Sequence, residues 1–219
     1  MPPPEPLAGA TGFGAFIDRV AERTFGSAYC MFRDADPALE CLEAPAIRRA
    51  NASAYLNGRA GRSPLLLVGE AMGYAGGRFT GIAFTAERTL RAWGPPYGVT
   101  SVRPEGWAEQ SGTIVHGALA SLGLESESVL WNVVPAHPHR PGEPLSNRTP
   151  TAGELRAGAA VLGELIERLS PRAIIAVGRS AERALAELGL PCDANVRHPA
   201  NGGATAFRAG LGRYVESAR

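Results

Sequence analysis

Lysine is missing from all 219 residues, so the 22 basic side chains are all arginine. A phosphate-cradling Gly-Lys-Ser/Thr loop is thereby excluded, while arginine's planar fork suits phosphate oxygens at a local basic face. The formal net charge of +1 speaks against a polycationic, non-specific binder. Cysteine is scarce too. Cys30, Cys41 and Cys192 lie far apart with no Cys-x-x-Cys pair, which supports neither a zinc site nor a four-cysteine cluster and reads as reduced thiols. There is no run of eighteen apolar residues and no N-terminal apolar segment of the signal-peptide kind. The expectation is a soluble, cytoplasmic protein with no membrane partner.

What is there is organised around Ser63 to Thr85. Leu65, Leu66, Leu67 and Val68 form an apolar run opened by Pro64 and closed by Gly69, the pattern of a strand buried on both faces of a parallel sheet. Gly73, Gly76, Gly77 and Gly81 follow, around Glu70, Tyr74 and two phenylalanines, so the backbone can turn sharply and lie close to a flat ligand. The same pattern also fits an ordinary glycine-rich strand-to-helix loop.

The length fits one domain, assigned to residues 11–219, after a proline-rich tail, Met1 to Ala10, that is expected to be disordered. Helices are predicted from Thr11 to Phe25, Asp36 to Cys41 (ending before Pro45), Ala46 to Asn57, Ala86 to Trp93 and Val115 to Leu122. Val129 to Val134 is a second buried strand with Asn132 inside it, either a core amide satisfied by a loop or a reader of a ligand. Pro135 to Pro150 is a long polar loop carrying His137, His139, Arg140 and Arg148, and loops of that length are usually functional or disordered. Thr151-Ala-Gly-Glu154 is a capping box that opens a helix running to Pro171. Ala173 to Val177 is a third strand and Ala181 to Leu188 a helix. Asn195 to Arg197 is a short fourth strand that delivers His198-Pro199-Ala200-Asn201-Gly202-Gly203 to its end. Strands alternating with helices predict an α/β fold, a three-layer α/β/α sandwich on a mostly parallel four-stranded sheet, with ligands at the carboxyl ends of the strands. Glu70, Asn132 and His198 all fall at or near such ends.

Gly69-Glu70-Ala71-Met72-Gly73, the strand residue Asn132, Asn147-Arg148-Thr149-Pro150 and His198-Pro199-Ala200, in that order, resemble the motifs of the uracil-DNA glycosylase superfamily over about residues 63 to 211. Gly81-Ile82-Ala83-Phe84 further matches the family's Gly-x-Pro-Phe. The resemblance implies an enzyme that flips uracil out of single- or double-stranded DNA and hydrolyses it from its sugar, releasing free uracil and initiating base excision repair. It implies that Phe84 stacks on the base, that Asn132 reads its edge and rejects cytosine, and that His198 donates to O2 as charge builds there. It places Gly69, Ala71, Gly73 and Tyr74 around the base, and Arg140, Arg148, Arg197, Asn201 and Gly202 against the DNA.

The sequence also departs from the family. The best-known branch carries a water-orienting Asp and a methyl-blocking Tyr where this chain has Ala71 and Gly73. Glu87 and Glu70 share the expectation of orienting water, Glu87 reading equally as a solvated residue of a first helical turn. The loop after Asn132 lacks the cysteines of the iron-sulfur branch, so no cofactor and no metal is expected. A lysine Schiff base is impossible without lysine, so the reaction is expected to be monofunctional, in a monomer. A second reading stays open beside this one, in which the same fold binds damaged bases or abasic sites with little or no turnover.

Overall fold

Three apolar runs set the architecture. Leu65–Ala71 (β1), Ser128–Val134 (β2) and Ala173–Val177 (β3) are strands, and the last two are buried at every residue. Such runs suit a sheet covered on both faces. The computed structural model describes residues 12–218, so the expected tail, Met1 to Ala10, lies outside the described residues. A short strand, Ala194–Val196 (β4), completes a sheet of order β2-β1-β3-β4 in which every pairing is parallel.

The helices are Phe13–Glu22 (α1), Ala44–Asn57 (α2), Gly77–Thr80 (α3), Glu87–Trp93 (α4), Gln110–Ser121 (α5), Ala152–Leu169 (α6), Arg179–Glu187 (α7) and Ala204–Ser217 (α8). In α1, Phe13, Phe16, Ile17 and Val20 are buried at helical spacing. The capping box of α6 is formed: Thr151 Oγ1 accepts from Glu154 N–H at 3.3 Å and Glu154 Oε2 from Thr151 N–H at 2.8 Å. α6 packs on β2, α7 on β1 and β3, and α8 on β4, which gives the α/β sandwich. The chain leaves β1 for β2 on one side and returns to β3 on the other. A crevice therefore opens beyond the carboxyl ends of the strands, where such folds place ligands.

Five expectations need correction. Asp36 to Cys41 is one turn followed by Glu40, which bridges to Ser101; Asp36 Oδ1 accepts from Ala38 N–H at 3.2 Å and so competes with a helix. Glu40 is meanwhile drawn into a buried cluster with Arg48 at 2.6 Å, Tyr29 and Arg78. Pro45 opens α2 instead of ending a helix before it, since a proline in the first turn has no N–H to leave unpaired. α5 begins at Gln110, five residues before the predicted start. α8 was not expected, although Phe207 and Leu211, with Tyr214 and Val215 half-buried beside them, form a stripe at helical spacing that is interrupted by Gly210 and Gly212. β1 also runs past Gly69 to Ala71, which pairs with Val134.

Among the described residues no helix is long and apolar enough to cross a membrane.

Candidate active site

The crevice holds a cavity of about 700 Å3, lined by β1's end (Glu70 to Gly73), Phe84, Asn132, the N-terminus of α7 and His198. The sheet register puts Asn132 beside Gly69. A side chain at Gly69 would collide with Asn132 Oδ1 and with the tip of the Phe84 ring, so the missing Cβ is what lets these two groups share the cavity floor. Asn132 is buried. Its Nδ2 has only the soft sulfur of Met72, at 3.1 Å, and its Oδ1 has no partner among the described residues. An unpaired buried amide oxygen costs about 1–3 kcal/mol, so a core role does not account for it.

Phe84 lies in the left-handed region, at φ +52°, where a bulky residue is strained. Thr80 holds it there: its Oγ1 accepts from Ile82 N–H at 3.2 Å and donates to the Thr85 carbonyl at 2.7 Å. The Phe84 ring reaches the cavity, 5.9 Å from the His198 ring. Ala200 N–H donates to His198 Nδ1 at 3.2 Å, so Nδ1 is the unprotonated nitrogen and Nε2 carries the hydrogen. Burial, and then the charge of Arg197, lower the His198 pKa. The ring is therefore a neutral donor near pH 7.

The carboxylates divide sharply. Glu70 lines the cavity, half-buried, and desolvation raises its pKa against a hydrogen bond from Ser180. Glu87 is not among the lining residues and is fully buried. Its Oε1 accepts from Thr100 and Ser101 N–H, both at 2.7 Å, and its Oε2 from Ser101 Oγ at 2.5 Å and Trp107 N–H at 3.1 Å. The expectation that Glu87 orients water is corrected accordingly: the carboxylate is committed to pinning the segment Thr100 to Trp107. It is no solvated residue either.

Other expected positions are redistributed. Ala71 and Gly73 line the cavity; Tyr74 does not, because its N–H is held by Asn147 Oδ1 at 3.1 Å and its ring stands edge-on to Trp107. Arg148 touches the cavity, but its guanidinium is gripped by Glu154 at 2.6 and 2.7 Å and by the His139 carbonyl at 3.0 Å. It staples the loop to α6 and has little reach left for a phosphate. Arg140 pairs with Glu143 at 2.8 Å and faces a separate shallow hollow. Arg197 is exposed and lines the cavity, whereas Asn201 and Gly202, both at positive φ, form an exposed turn just beyond it. His137 is buried between the carbonyls of Met72 at 2.8 Å and Pro144 at 3.2 Å, and burial lowers its pKa to about 4. It ties the long loop to the end of β1.

The sequence reading missed Glu109, Ser111, Arg179 and Ser180, all of which line the cavity. Arg179 and Ser180 open α7 beside Gly178, and the strand-glycine-helix pattern was the available signal. Glu109 and Ser111 flank the true start of α5, in a stretch assigned to no element.

Residues 57–215 match the family described as the Uracil DNA glycosylase superfamily. The crystal structure of wild-type Pedobacter heparinus SMUG2 is similar over 95% of this chain and 97% of that one, with a TM-score of 0.58 and 12% sequence identity, a likeness of fold. No curated protein sequence matches the chain.

Proposed function

The chain belongs to the uracil DNA glycosylase superfamily, and from that premise we propose that it excises uracil from DNA by a monofunctional, hydrolytic reaction. The observation that carries this reading is Asn132 Oδ1, buried and unpartnered at a strand end beside Phe84 and the neutral donor His198. Uracil's N3–H is the donor that oxygen lacks; cytosine presents a bare N3 there and leaves it unpaired. The base leaves the duplex at a cost of roughly a few kcal/mol and stacks on Phe84. As the C1′–N1 bond breaks, its electron pair passes to the base, and His198 Nε2–H stabilises the charge at O2. Water adds to the oxocarbenium-like C1′ and gives its proton to Glu70, whose raised pKa suits a general base. Arg179 and Arg197, at the cavity wall, face the backbone phosphates.

The test is incubation of the purified protein with a single-stranded uracil oligonucleotide, followed by alkali to cleave abasic sites. Alkali-dependent cleavage at uracil alone is the expected result. Tight retention of the oligonucleotide without cleavage would establish the binding reading instead. Cleavage without alkali would overturn the monofunctional assignment.

A further inference from the structure

Glu109 is placed in a way that no structural duty explains. Its Oε1 accepts from Ser111 Oγ at 2.9 Å, but its Oε2 is buried without a partner among the described residues, although the residue as a whole is partly exposed. Space for this carboxyl group is made by absent side chains. A Cβ at Gly76 would collide with Oε2, one at Gly73 would stand 3.2 Å from Oε1, and one at Gly112 would stand 3.3 Å from Oε2 while striking the Phe84 carbonyl. The group is thus wedged between the turn that follows β1 and the backbone of Phe84, within the wall of the same cavity. His198 lies against the Phe84 ring. A base stacked on that ring would share one cavity with His198, Asn132 and Glu109.

We propose that Glu109 is a base-contacting residue that, as the neutral acid, donates a hydrogen bond from Oε2 to O4 of the extruded uracil. This rests on the uracil reading above. O4 has two lone pairs; Asn132 Nδ2 takes the one beside N3, and Glu109 takes the one on the C5 side. Desolvation raises the Glu109 pKa, opposed only by the Ser111 hydroxyl, which shifts the balance toward the acid form that can donate. The contact also bears on rate, because charge released by the broken bond spreads to O4 as well as O2. A donor at each oxygen stabilises the departing base from both sides.

The experiment compares single-turnover excision of uracil and of 4-thiouracil, whose sulfur is a weak acceptor, by wild type, Glu109→Ala and Glu109→Gln. Glutamine keeps a donor in place, so Glu109→Gln is expected to excise uracil within about threefold of wild type, and Glu109→Ala to be roughly 10- to 100-fold slower. The exchange of oxygen for sulfur is expected to slow wild type about tenfold more than it slows Glu109→Ala, which has already lost the contact. Glu109→Ala is expected to melt at or above wild type, since it removes a buried carboxyl oxygen that has no partner among the described residues; loss of a merely structural residue would lower the melting point. A Glu109→Gln protein that binds abasic DNA normally but excises uracil 100-fold more slowly would overturn the donor assignment and make Glu109 an ionised base. An equal sulfur effect in wild type and Glu109→Ala would remove Glu109 from O4. Failure of wild type itself to excise uracil would instead overturn the uracil reading, and the Glu109 contact with it.

Discussion

Glu87→Gln separates structure from chemistry most cleanly. The Glu87 carboxylate accepts four hydrogen bonds, three from backbone N–H groups and one from Ser101 Oγ, while fully buried. Glutamine retains one acceptor oxygen; with its NH2 in the Oε2 place the Ser101 hydroxyl can turn to accept, but N–H faces the Trp107 N–H and the remaining bonds lose their charge assistance. At about 1.5–3 kcal/mol for the lost bond and about 1–3 kcal/mol for the unpaired Trp107 N–H, the change costs about 2.5–6 kcal/mol. For a chain of this size that lowers Tm by roughly 10 °C. Calorimetry or circular dichroism reads the loss directly, and single-turnover excision at 15 °C, well below melting, is expected to stay within about fivefold of wild type. The segment that Glu87 pins leads to Glu109, so a small effect on rate is consistent with a structural anchor. An unchanged Tm together with a 100-fold loss of excision would refute the reasoning and return Glu87 to the chemistry.

On the proposed mechanism His198→Ala removes the donor to O2, and is expected to lower the excision rate by roughly two to three orders of magnitude at unchanged Tm; near-normal rates would take His198 out of the site. Asn132→Asp is expected to admit cytosine, because a protonated carboxyl satisfies its N3, and an assay on cytosine and uracil oligonucleotides decides the matter. Acidification is expected to unfold the protein early. His137 and His116 both have pKa values lowered to about 4 by burial, so the unfolded chain binds more protons than the folded one between the ordinary value of 6.5 and 4. Their contribution is complete above about pH 6.5 and is lost as pH falls toward 4, about 3 kcal/mol for each ring. Urea titrations at pH 7.5 and 5 read it as a shift in midpoint, and superimposable curves would contradict it.

Much of the fold was legible because its signals are local and repeated. Leu65 to Val68, Val129 to Val134 and Ala173 to Val177 can be buried on both faces only in a covered parallel sheet, and Thr151 with Glu154 states the start of α6 in four residues. α8 carries a helical signal, since Phe207, Leu211, Tyr214 and Val215 recur at helical spacing, but glycines at 210 and 212 interrupt it as they would a loop. Asp36 to Cys41 misled for a different reason. Its composition permits a helix, but Glu40 meets Arg48 and Arg78 only after distant segments have come together. The same limit governs the carboxylates: Glu87 follows Phe84 closely in sequence and looked close to the chemistry, whereas its partners, Thr100, Ser101 and Trp107, are supplied by the loop before α5.

Glu109 shows why a candidate site can be harder to read than a core. A core residue is announced by its agreement with its neighbours in period and polarity, while Glu109 is defined by what surrounds it and is absent: side chains at Gly73, Gly76 and Gly112, and a partner for Oε2. Asn132 Oδ1 lacks a partner in the same cavity, and Phe84 holds a strained φ beside it. Each of these departures costs the folded chain about 1–3 kcal/mol. Their meeting in one crevice, open to a flat ligand, is what a binding surface requires before its ligand arrives. The unpaired groups are rewarded only when a base of matching edge enters, and that conditional gain is the source of discrimination. A sequence reading that looks for satisfied patterns therefore passes over Glu109 for the same physical reason that would make it selective.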